Sequence, residues 1–302
     1  MDYHSRMVLI GSCFAENIGN KLMESRFSVD CNPCGIVYNP ESVALVLERL
    51  IEERMVGEDE LLWHEGKWVS LGHHGCFSSP SRYVCLEKMN ARIRQGAVNL
   101  RTADLLLITF GTSWVYRHRR RGCVVANCHR FPECDFERFR LSVQEIVARY
   151  DCLLEQLKRI NPGLKIVFTV SPIRHWKDGA HGNQLSKSVL LLAIDELVRH
   201  REQVYYFPSY ELILDELRDY RFYAEDMLHV SGPAVEYVWS RFKETYMTEE
   251  ALQVLRQVEK INKGLQHRPF DAESETYIVF RRKLKEELGH LGLRYPLMNQ
   301  EV

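Results

Sequence analysis

The sequence lacks several features that would place it in a special class of protein. It has no apolar run near the ~20 residues that a membrane-spanning helix needs, and its first residues lack the basic-then-apolar pattern of a signal peptide. It also lacks an excess of one charge, because 40 basic residues face 41 acidic ones. We therefore expect a cytoplasmic protein that binds neither a membrane nor nucleic acid.

Cysteine is present, but not in the pattern of a disulfide framework. The nine cysteines are an odd number spread through 302 residues, which favours free thiols in a reducing compartment. Internal repeats and low-complexity segments are also missing. With 45% hydrophobic and 27% charged residues, a chain of this length can bury the large core of a globular enzyme.

Strand-like and helix-like segments alternate along the chain. The strand-like runs are residues 8–10, 105–110, 165–170 and 204–207, and helical patterns fall at residues 41–54, 142–160, 185–200 and 210–217. This alternation predicts an α/β fold in which helices cover both faces of a mostly parallel sheet, a three-layer sandwich. The site of such a sheet lies beyond the carboxyl ends of its strands, where polar residues stand at 11–13, 111–113 and 171–175.

Other regions differ from this sheet core. Residues 61–90 and 117–138 are rich in His, Trp, Cys and Pro, and we interpret them as excursions that cover the site. The basic run at 117–121 predicts an exposed hairpin tip. After Met247 the sequence changes to two charged helices, so we divide the chain into a main domain, residues 1–247, and a C-terminal helical extension, residues 248–302. An apolar face on the first of these helices must pack on the main domain or on a second subunit, as in a homodimer.

The most reactive residues follow the first strand-like run. Gly11, Ser12 and Cys13 precede an amphipathic stretch, which predicts a strand-to-helix turn with unpaired backbone N–H groups. Such a turn lowers the pKa of a thiol and can hold an oxyanion. In the alternative interpretation, Ser12 is only a helix N-cap and Cys13 a small core residue.

A candidate base lies near the other end of the main domain. Asp226 precedes His229 by three residues, just before a helical pattern that begins near Gly232. On a tight turn the carboxylate can accept a proton from the imidazole Nδ1, which leaves Nε2 as the base for a nucleophile from elsewhere. The alternative is a polar loop without a role in chemistry, since this spacing is common.

The order of these motifs is that of SGNH/GDSL hydrolases. In those enzymes a nucleophile follows the first strand, and D-x-x-H precedes the last helix of the domain. The sequence resembles the GSCFA-domain family of that superfamily more closely still, over about residues 3–246. The strings that carry this resemblance are residues 11–15 (GSCFA), 32–40 (NPCGIVYNP), 72–74 (GHH), 109–116 (TFGTSWVY), 127–129 (NCH), 169–175 (TVSPIRH), 183–187 (NQLSK) and 218–226 (RDYRFYAED). The resemblance implies an SGNH-hydrolase-like, that is flavodoxin-like, fold with added C-terminal helices.

The resemblance also implies a site. Aligned without gaps on the Gly-Asp-Ser string of GDSL enzymes, Cys13 takes the place of the serine nucleophile, and a shift of one residue would give that role to Ser12. Gly35 matches the second glycine of the family. Ser113 stands where GDSL enzymes have an oxyanion-binding Asn, so Gly111, Thr112 and the N–H groups of residues 13 and 35 are candidates for that role, as are the side-chain amides of Asn32, Asn39 and Asn127.

Several histidines are further candidates. His73 and His74, with His129 and nearby cysteines, offer metal ligands, but their spacing does not complete a four-ligand zinc site. We therefore expect no metal and no cofactor, and assign His73 and His74 to hydrogen bonding with substrate. Arg174, His175 and Lys187 belong to a polar group that could bind an anionic part of a substrate or an acyl carrier. His175 is the best candidate for this role, and we expect capping and solvation for Arg174 and Lys187.

Two functions follow as hypotheses. In the first, Cys13 or Ser12 attacks an ester or thioester, His229 acts as base and then acid, and Asp226 orients it. The resemblance implies an acylated carbohydrate as substrate, with water or a sugar hydroxyl as acceptor and acyl-CoA as a donor to test. In the second, the chain is a non-catalytic ligand-binding protein on an SGNH scaffold, because the oxyanion-binding Asn is missing.

Overall fold

The structure of the protein, a computed structural model, describes residues 1–271 and 273–299. Its strands are β1 (Arg6–Gly11), β2 (Ser28–Cys31), β3 (Leu61–His64), β4 (Lys67–Ser70), β5 (Leu105–Phe110), β6 (Trp114–His118), β7 (Val124–Val125), β8 (Phe136–Arg140), β9 (Lys165–Val170) and β10 (Val204–Phe207). Its helices are α1 (Cys13–Glu24), α2 (Pro40–Ile51), α3 (Arg82–Thr102), α4 (Val143–Ile160), α5 (Gly179–Arg199), α6 (Ser209–Glu211), α7 (Gly232–Tyr246), α8 (Glu249–Gln266) and α9 (Glu275–Arg294).

Five parallel strands form the central sheet in the order β10-β9-β5-β1-β2. Counted along the chain, this is the 2-1-3-4-5 order of flavodoxin-like folds. The register aligns Gly11 with Thr109 and Phe110 with Val170, so the last residues of β1, β5 and β9 lie at the same edge. The predicted α/β fold class is confirmed, and the sheet brings the predicted strand ends together.

Successive residues of the central strands point to opposite faces, and both faces are buried. Val8 and Ile10 of β1 pack in the cluster that includes residues of α2, α3, α4 and α5. Leu9 of the same strand packs on the other side, with residues of α1, α7 and α8. The near-continuous apolar strands are therefore explained by a sheet that helices cover on both sides.

The first C-terminal helix packs on the main domain of the same chain. Val254, Leu255 and Val258 of α8 are buried in one cluster with Phe27 and Phe242. The homodimer expectation arose from this apolar face, and the face is covered within the chain. Helix α9 packs against α8 through Leu284, which fills the space beside Gly264.

The predicted excursions are partly as expected. Residues 61–70 form the β3–β4 hairpin, and β6 pairs with β7 and β8 in a small antiparallel sheet, with residues 119–121 at an exposed turn. The expectation is wrong for residues 82–90, which open the 21-residue helix α3. Met89 and Ile93 of that helix pack under the central sheet. Within the described residues, no helix is long and apolar enough to cross a membrane.

Candidate active site

The turn after β1 has a backbone that only glycine accommodates. Gly11 has a φ of 150°, and a Cβ there would lie 2.3 Å from the carbonyl oxygen of Thr109. Ser12 follows as the N-cap of α1, and its Oγ accepts a hydrogen bond from the N–H of Phe14 at 3.3 Å. Ser12 is 2% exposed, whereas Cys13, the first residue of the helix, is partly exposed. The turn therefore buries Ser12 and leaves Cys13 partly exposed.

Burial, not the helix terminus, dominates the pKa of Cys13. Desolvation raises the pKa of the thiol, and the charge of Glu16 raises it further. The N–H groups of Cys13 and Phe14 and the charge of Lys187 act in the opposite direction and do not offset burial. The expectation that the turn lowers the pKa of Cys13 is wrong, because the thiol is too poorly solvated. Loss of its proton requires a base.

Asp226 and His229 form a hydrogen-bonded pair. Oδ2 of Asp226 lies 2.5 Å from Nδ1 of His229, and Oδ1 accepts the N–H groups of Leu228 and His229 at 2.9 Å. Met227, with a φ of 60°, makes the turn between them tight. These hydrogen bonds lower the pKa of Asp226 to about 2. The His229 side chain is 54% exposed, so a carboxylate orients an imidazole that solvent reaches.

The loop that carries this pair is joined to the segment after β9. The N–H of Arg174 donates to the carbonyl of Leu228 at 3.3 Å, and the Arg174 guanidinium donates to the Tyr223 hydroxyl at 2.9 Å. The next residue, His175, has Nε2 at 3.0 Å from the carbonyl oxygen of Gly111. Burial lowers the pKa of His175 to about 4, so this imidazole is neutral. The segment thus connects the Asp226–His229 loop with the end of β5.

Lys187 lies inside the protein at the same edge, which sequence analysis did not predict. Its Nζ donates to the carbonyls of Gly111 and Ser171, at 2.6 Å each, and the residue has 0% exposure. Desolvation lowers the pKa of Lys187 to about 7. The expectation of capping and solvation is wrong for this residue. Its position was a usable signal, because Lys187 is in helical register with the apolar residues Leu190 and Ile194.

The N–H and hydroxyl groups of residues 111–113, after β5, make hydrogen bonds within the protein. The N–H groups of Gly111 and Thr112 both donate to the carbonyl of Tyr38, at 2.7 and 3.0 Å. The Thr112 and Ser113 hydroxyls each lie 3.1 Å from Oγ of Ser186. Ser113 is fully buried, so it does not replace the Asn of GDSL enzymes as a group that faces a substrate.

Asn32 lies beside the nucleophile turn. Its Oδ1 accepts the N–H of Gly11 at 2.9 Å, while its Nδ2 is buried and has no hydrogen-bond partner among the described residues. The N–H of Gly35 donates to the carbonyl of Asn32 at 2.8 Å. Gly35 itself has a φ of 81°, and a Cβ there would lie 2.2 Å from Cβ of His74. Among the amides considered from sequence, Asn32 is the one with an unused donor beside Ser12.

The remaining candidates have structural contacts of their own. Asn39 caps α2, with Oδ1 2.8 Å from the N–H of Ser42. His73 is 1% exposed and contacts Ser70 through Nδ1 at 3.0 Å, and burial lowers its pKa to about 4. Asn127 accepts the N–H of His129 at 2.8 Å. These contacts do not bring His73, Asn39 or Asn127 together with Cys13.

No metal cluster accompanies these residues in the part of the chain that the structure describes, since no three His, Cys, Asp or Glu side chains converge. Cys31 and Cys34 of the C-x-x-C string are unpaired within those same residues, and burial raises the pKa of each thiol to about 12. Neither thiol has the low pKa of a reactive dithiol.

Comparison with known proteins identifies the GSCFA family as the family of this chain. The GSCFA family model matches residues 6–242, and that of the GSCFA domain protein, C-terminal domain, matches residues 258–301. No curated protein matches the sequence. Among solved structures, the chain is similar to a family 3 carbohydrate esterase from Clostridium thermocellum, with 9% identity, a TM-score of 0.37, and 83% of this chain and 97% of that chain covered. A family two carbohydrate esterase of the same organism, in complex with cellohexaose, gives 11% identity, a TM-score of 0.39, and coverage of 84% and 66%.

Proposed function

We propose, from the premise that the chain belongs to the GSCFA family, that it transfers acyl groups from an ester or thioester through a Cys13–His229–Asp226 site. The observation that carries this proposal is the hydrogen bond of 2.5 Å between Asp226 and Nδ1 of His229. A carboxylate in this position keeps the proton on Nδ1, so that Nε2 is available as a base. The raised pKa of Cys13 is the reason why the thiol needs such a base.

The reaction has two halves. In the first, Nε2 of His229 takes the thiol proton and Cys13 Sγ attacks the acyl carbonyl carbon. The tetrahedral intermediate then collapses, the bond to the leaving oxygen or sulfur breaks, and His229 returns the proton to the leaving group. In the second, water or a sugar hydroxyl attacks the thioester and gives its proton to His229, and Cys13 leaves as a thiolate that regains this proton.

The oxyanion of each intermediate requires hydrogen-bond donors. The N–H of Cys13, at the first position of α1, makes no hydrogen bond with other residues that the structure describes. We assign the oxyanion to this N–H, and the positive end of the α1 dipole favours the same charge. Nδ2 of Asn32 lies beside the turn but is buried, so, like Ser113, it does not face a substrate.

Cys13 is favoured over Ser12 as the nucleophile. Ser12 is 2% exposed and caps α1, so its attack on a substrate would break the hydrogen bond to the N–H of Phe14. Cys13 is partly exposed and has no such duty. An acylated carbohydrate is the substrate class proposed, as the family resemblance implies, with acyl-CoA as the thioester donor to test.

A second function is supported by the groups after β5. The N–H groups of Gly111 and Thr112 donate to Tyr38, and Ser113 contacts Ser186, so this segment offers no oxyanion donor. A ligand-binding protein without turnover would keep the same fold and the same Asp226–His229 pair.

Covalent labelling separates the two functions. The folded protein is treated with a small fluorophosphonate and, separately, with iodoacetamide, and the label is located by mass spectrometry in wild type, His229→Ala and the matched control His200→Ala, which removes an exposed histidine. We expect label on Cys13 that His229→Ala reduces and His200→Ala does not. Label on Ser12 instead would transfer the role of nucleophile to it. Labelling that is equal in all three proteins, together with no turnover of acetylated sugars or acetyl-CoA, would support the ligand-binding function.

A further inference from the structure

Lys187 is a buried lysine without a carboxylate partner among the described residues. It has 0% exposure, and its Nζ donates to two peptide carbonyls, those of Gly111 and Ser171, at 2.6 Å each. A lysine in such a place loses the hydration of its charge, which is unfavourable unless the charge has a use. Two carbonyls accept two of the three protons of an ammonium group, so one donor and the charge itself remain.

The two carbonyls belong to the ends of the central strands that border the candidate site. Gly111 follows β5, and Ser171 follows β9, so Lys187 links these two ends from helix α5. Gly111 also packs against the nucleophile turn, because a Cβ on it would lie 3.6 Å from Cβ of Ser12. Gly111, whose carbonyl accepts from Lys187, therefore lies against the turn that carries Cys13.

We propose that Lys187 is a positioning residue of this site, which holds the Gly111 and Ser171 carbonyls in place and supplies a positive charge to the Cys13 thiolate. The proposal rests on the proposed function in taking Cys13 as the nucleophile. Its physical basis is mutual: the charge of Lys187 lowers the pKa of Cys13, and the Cys13 thiolate raises the pKa of Lys187. The two groups then titrate as a coupled pair.

Other titratable groups face this pair, and they do not replace Lys187 as a source of charge. Glu16, on α1, raises the pKa of Cys13. The phenols of Tyr38 and Tyr210, the second of them with its ring 5.7 Å from Lys187 Nζ, have pKa values raised by burial and are neutral. His175 has a pKa of about 4 and is neutral above it. Of these groups, Lys187 is the one that supplies positive charge below about pH 7 and loses it above.

The test measures the reaction of Cys13 with iodoacetamide from pH 6 to pH 9.5 in wild type, Lys187→Met and Lys187→Arg, and needs no ester substrate. The label on the peptide that contains Cys13 is quantified by mass spectrometry, and the exposed Cys134 is the internal control. Below pH 7 we expect wild type to react roughly threefold to tenfold faster than Lys187→Met, because removal of the cation raises the pKa of the thiol. This ratio falls towards one at pH 9, where Lys187 is neutral. In Lys187→Arg the side chain stays charged, so Cys13 still reacts faster than in Lys187→Met at pH 9.

The pH dependence separates a charge from a structural role. A ratio that is constant from pH 6 to pH 9, or equal to one throughout, would overturn the proposal. If circular dichroism shows that the Lys187 variants do not fold, the profile of His229→Ala decides, because this variant lacks the other base proposed for Cys13. Coupling to Lys187 predicts two steps in that profile, and a single step contradicts it. Failure of the proposed function has a different signature, namely no turnover and no effect of His229→Ala, with the two-step profile of Cys13 unchanged.

Discussion

At the scale of single residues, adjacent positions on one turn have separate duties. The Ser12 hydroxyl is buried and stabilises the start of α1, while Cys13, one residue later, is partly exposed. The same division occurs in Asp226, whose Oδ1 fixes the turn through two N–H groups and whose Oδ2 orients His229. A substitution at Asp226 therefore acts on the imidazole and on the loop together.

Asp226→Asn tests the orienting role. An amide opposite Nδ1 donates a proton where the carboxylate accepts one, which favours the imidazole tautomer that lacks a base at Nε2. If the protein turns over an ester, we expect kcat to fall on the order of 10²- to 10⁴-fold, with little change in the free energy of unfolding because the loop is exposed. Since the pKa of Asp226 is about 2, its carboxylate stays ionised above about pH 4, and the acid limb of the wild-type profile does not report it.

Asp219→Asn is the matched control for that measurement. Asp219 lies in the same exposed region and its Oδ1 also accepts a backbone N–H, that of Arg221, at 3.0 Å. It has no contact with His229 among those the structure gives. Equal losses of kcat in the two variants would point to disturbance of the loop and remove the special role of Asp226.

At the scale of elements, the candidate site is built on helix starts that follow strand ends. Ser12 caps α1, and Asn39 caps α2 with Oδ1 2.8 Å from the N–H of Ser42. Asn39 is among the oxyanion- or substrate-binding candidates expected from the sequence, and the cap gives it a structural role that can be measured separately.

Asn39→Ala and Asn39→Asp distinguish these duties. Alanine removes the cap and is expected to lower the free energy of unfolding by about 1 kcal/mol, whereas aspartate still accepts from Ser42 and restores most of it. Both are measured by urea denaturation, alongside the labelling rate of Cys13. A role in substrate binding predicts the reverse pattern for turnover, with a loss in Asn39→Asp despite its restored stability.

The elements that sequence analysis predicted and missed differ in a physical way. Strands β5, β9 and β10 have the boundaries expected from sequence. Strands β5 and β9 are buried on both faces and are therefore almost purely apolar, whereas β10 lies at the sheet edge and keeps Tyr205 exposed. Strand β2 was missed, since its Asp30 is buried with Arg92 and Asn99 as partners and breaks the apolar pattern. Ser12, Cys13, Asp226 and His229 were proposed from local spacing, and the structure pairs the last two by a hydrogen bond. The helical register of Lys187 points to the apolar side of α5, but its partners, the carbonyls of Gly111 and Ser171, cannot be inferred from spacing.

At the scale of the whole molecule, the fold encloses several histidines whose charged form is disfavoured by burial. His73 is 1% exposed, its Nε2 has no partner within the described residues, and its pKa is about 4. His175 and His129 also have pKa values lowered by burial. The folded protein therefore resists protonation at these positions, and the unfolded chain does not.

This difference predicts a loss of stability in mild acid. The pKa of His73 rises from about 4 in the folded state to ~6.5 in the unfolded one, so between these values the unfolded state binds more protons. The contribution of His73 to the free energy of unfolding is complete above pH 6.5. It decreases by about 3 kcal/mol in all as the pH falls to 4. The other two histidines add to the same trend.

The measurement is the free energy of unfolding in urea at pH values from 7 to 4.5, for wild type, His73→Asn and the control His200→Asn. Asparagine still offers a polar partner to Ser70 but binds no proton, so we expect a flatter dependence on pH for His73→Asn, whatever its stability at pH 7. His200 is exposed at the end of α5, and its variant should keep the wild-type slope. Equal slopes in wild type and His73→Asn would mean that the imidazole of His73 is hydrated in solution. The decrease in the free energy of unfolding at low pH would then come from His175 and His129. Because His175 contacts Gly111 beside the nucleophile turn, acid would in that case loosen the candidate site before the rest of the fold.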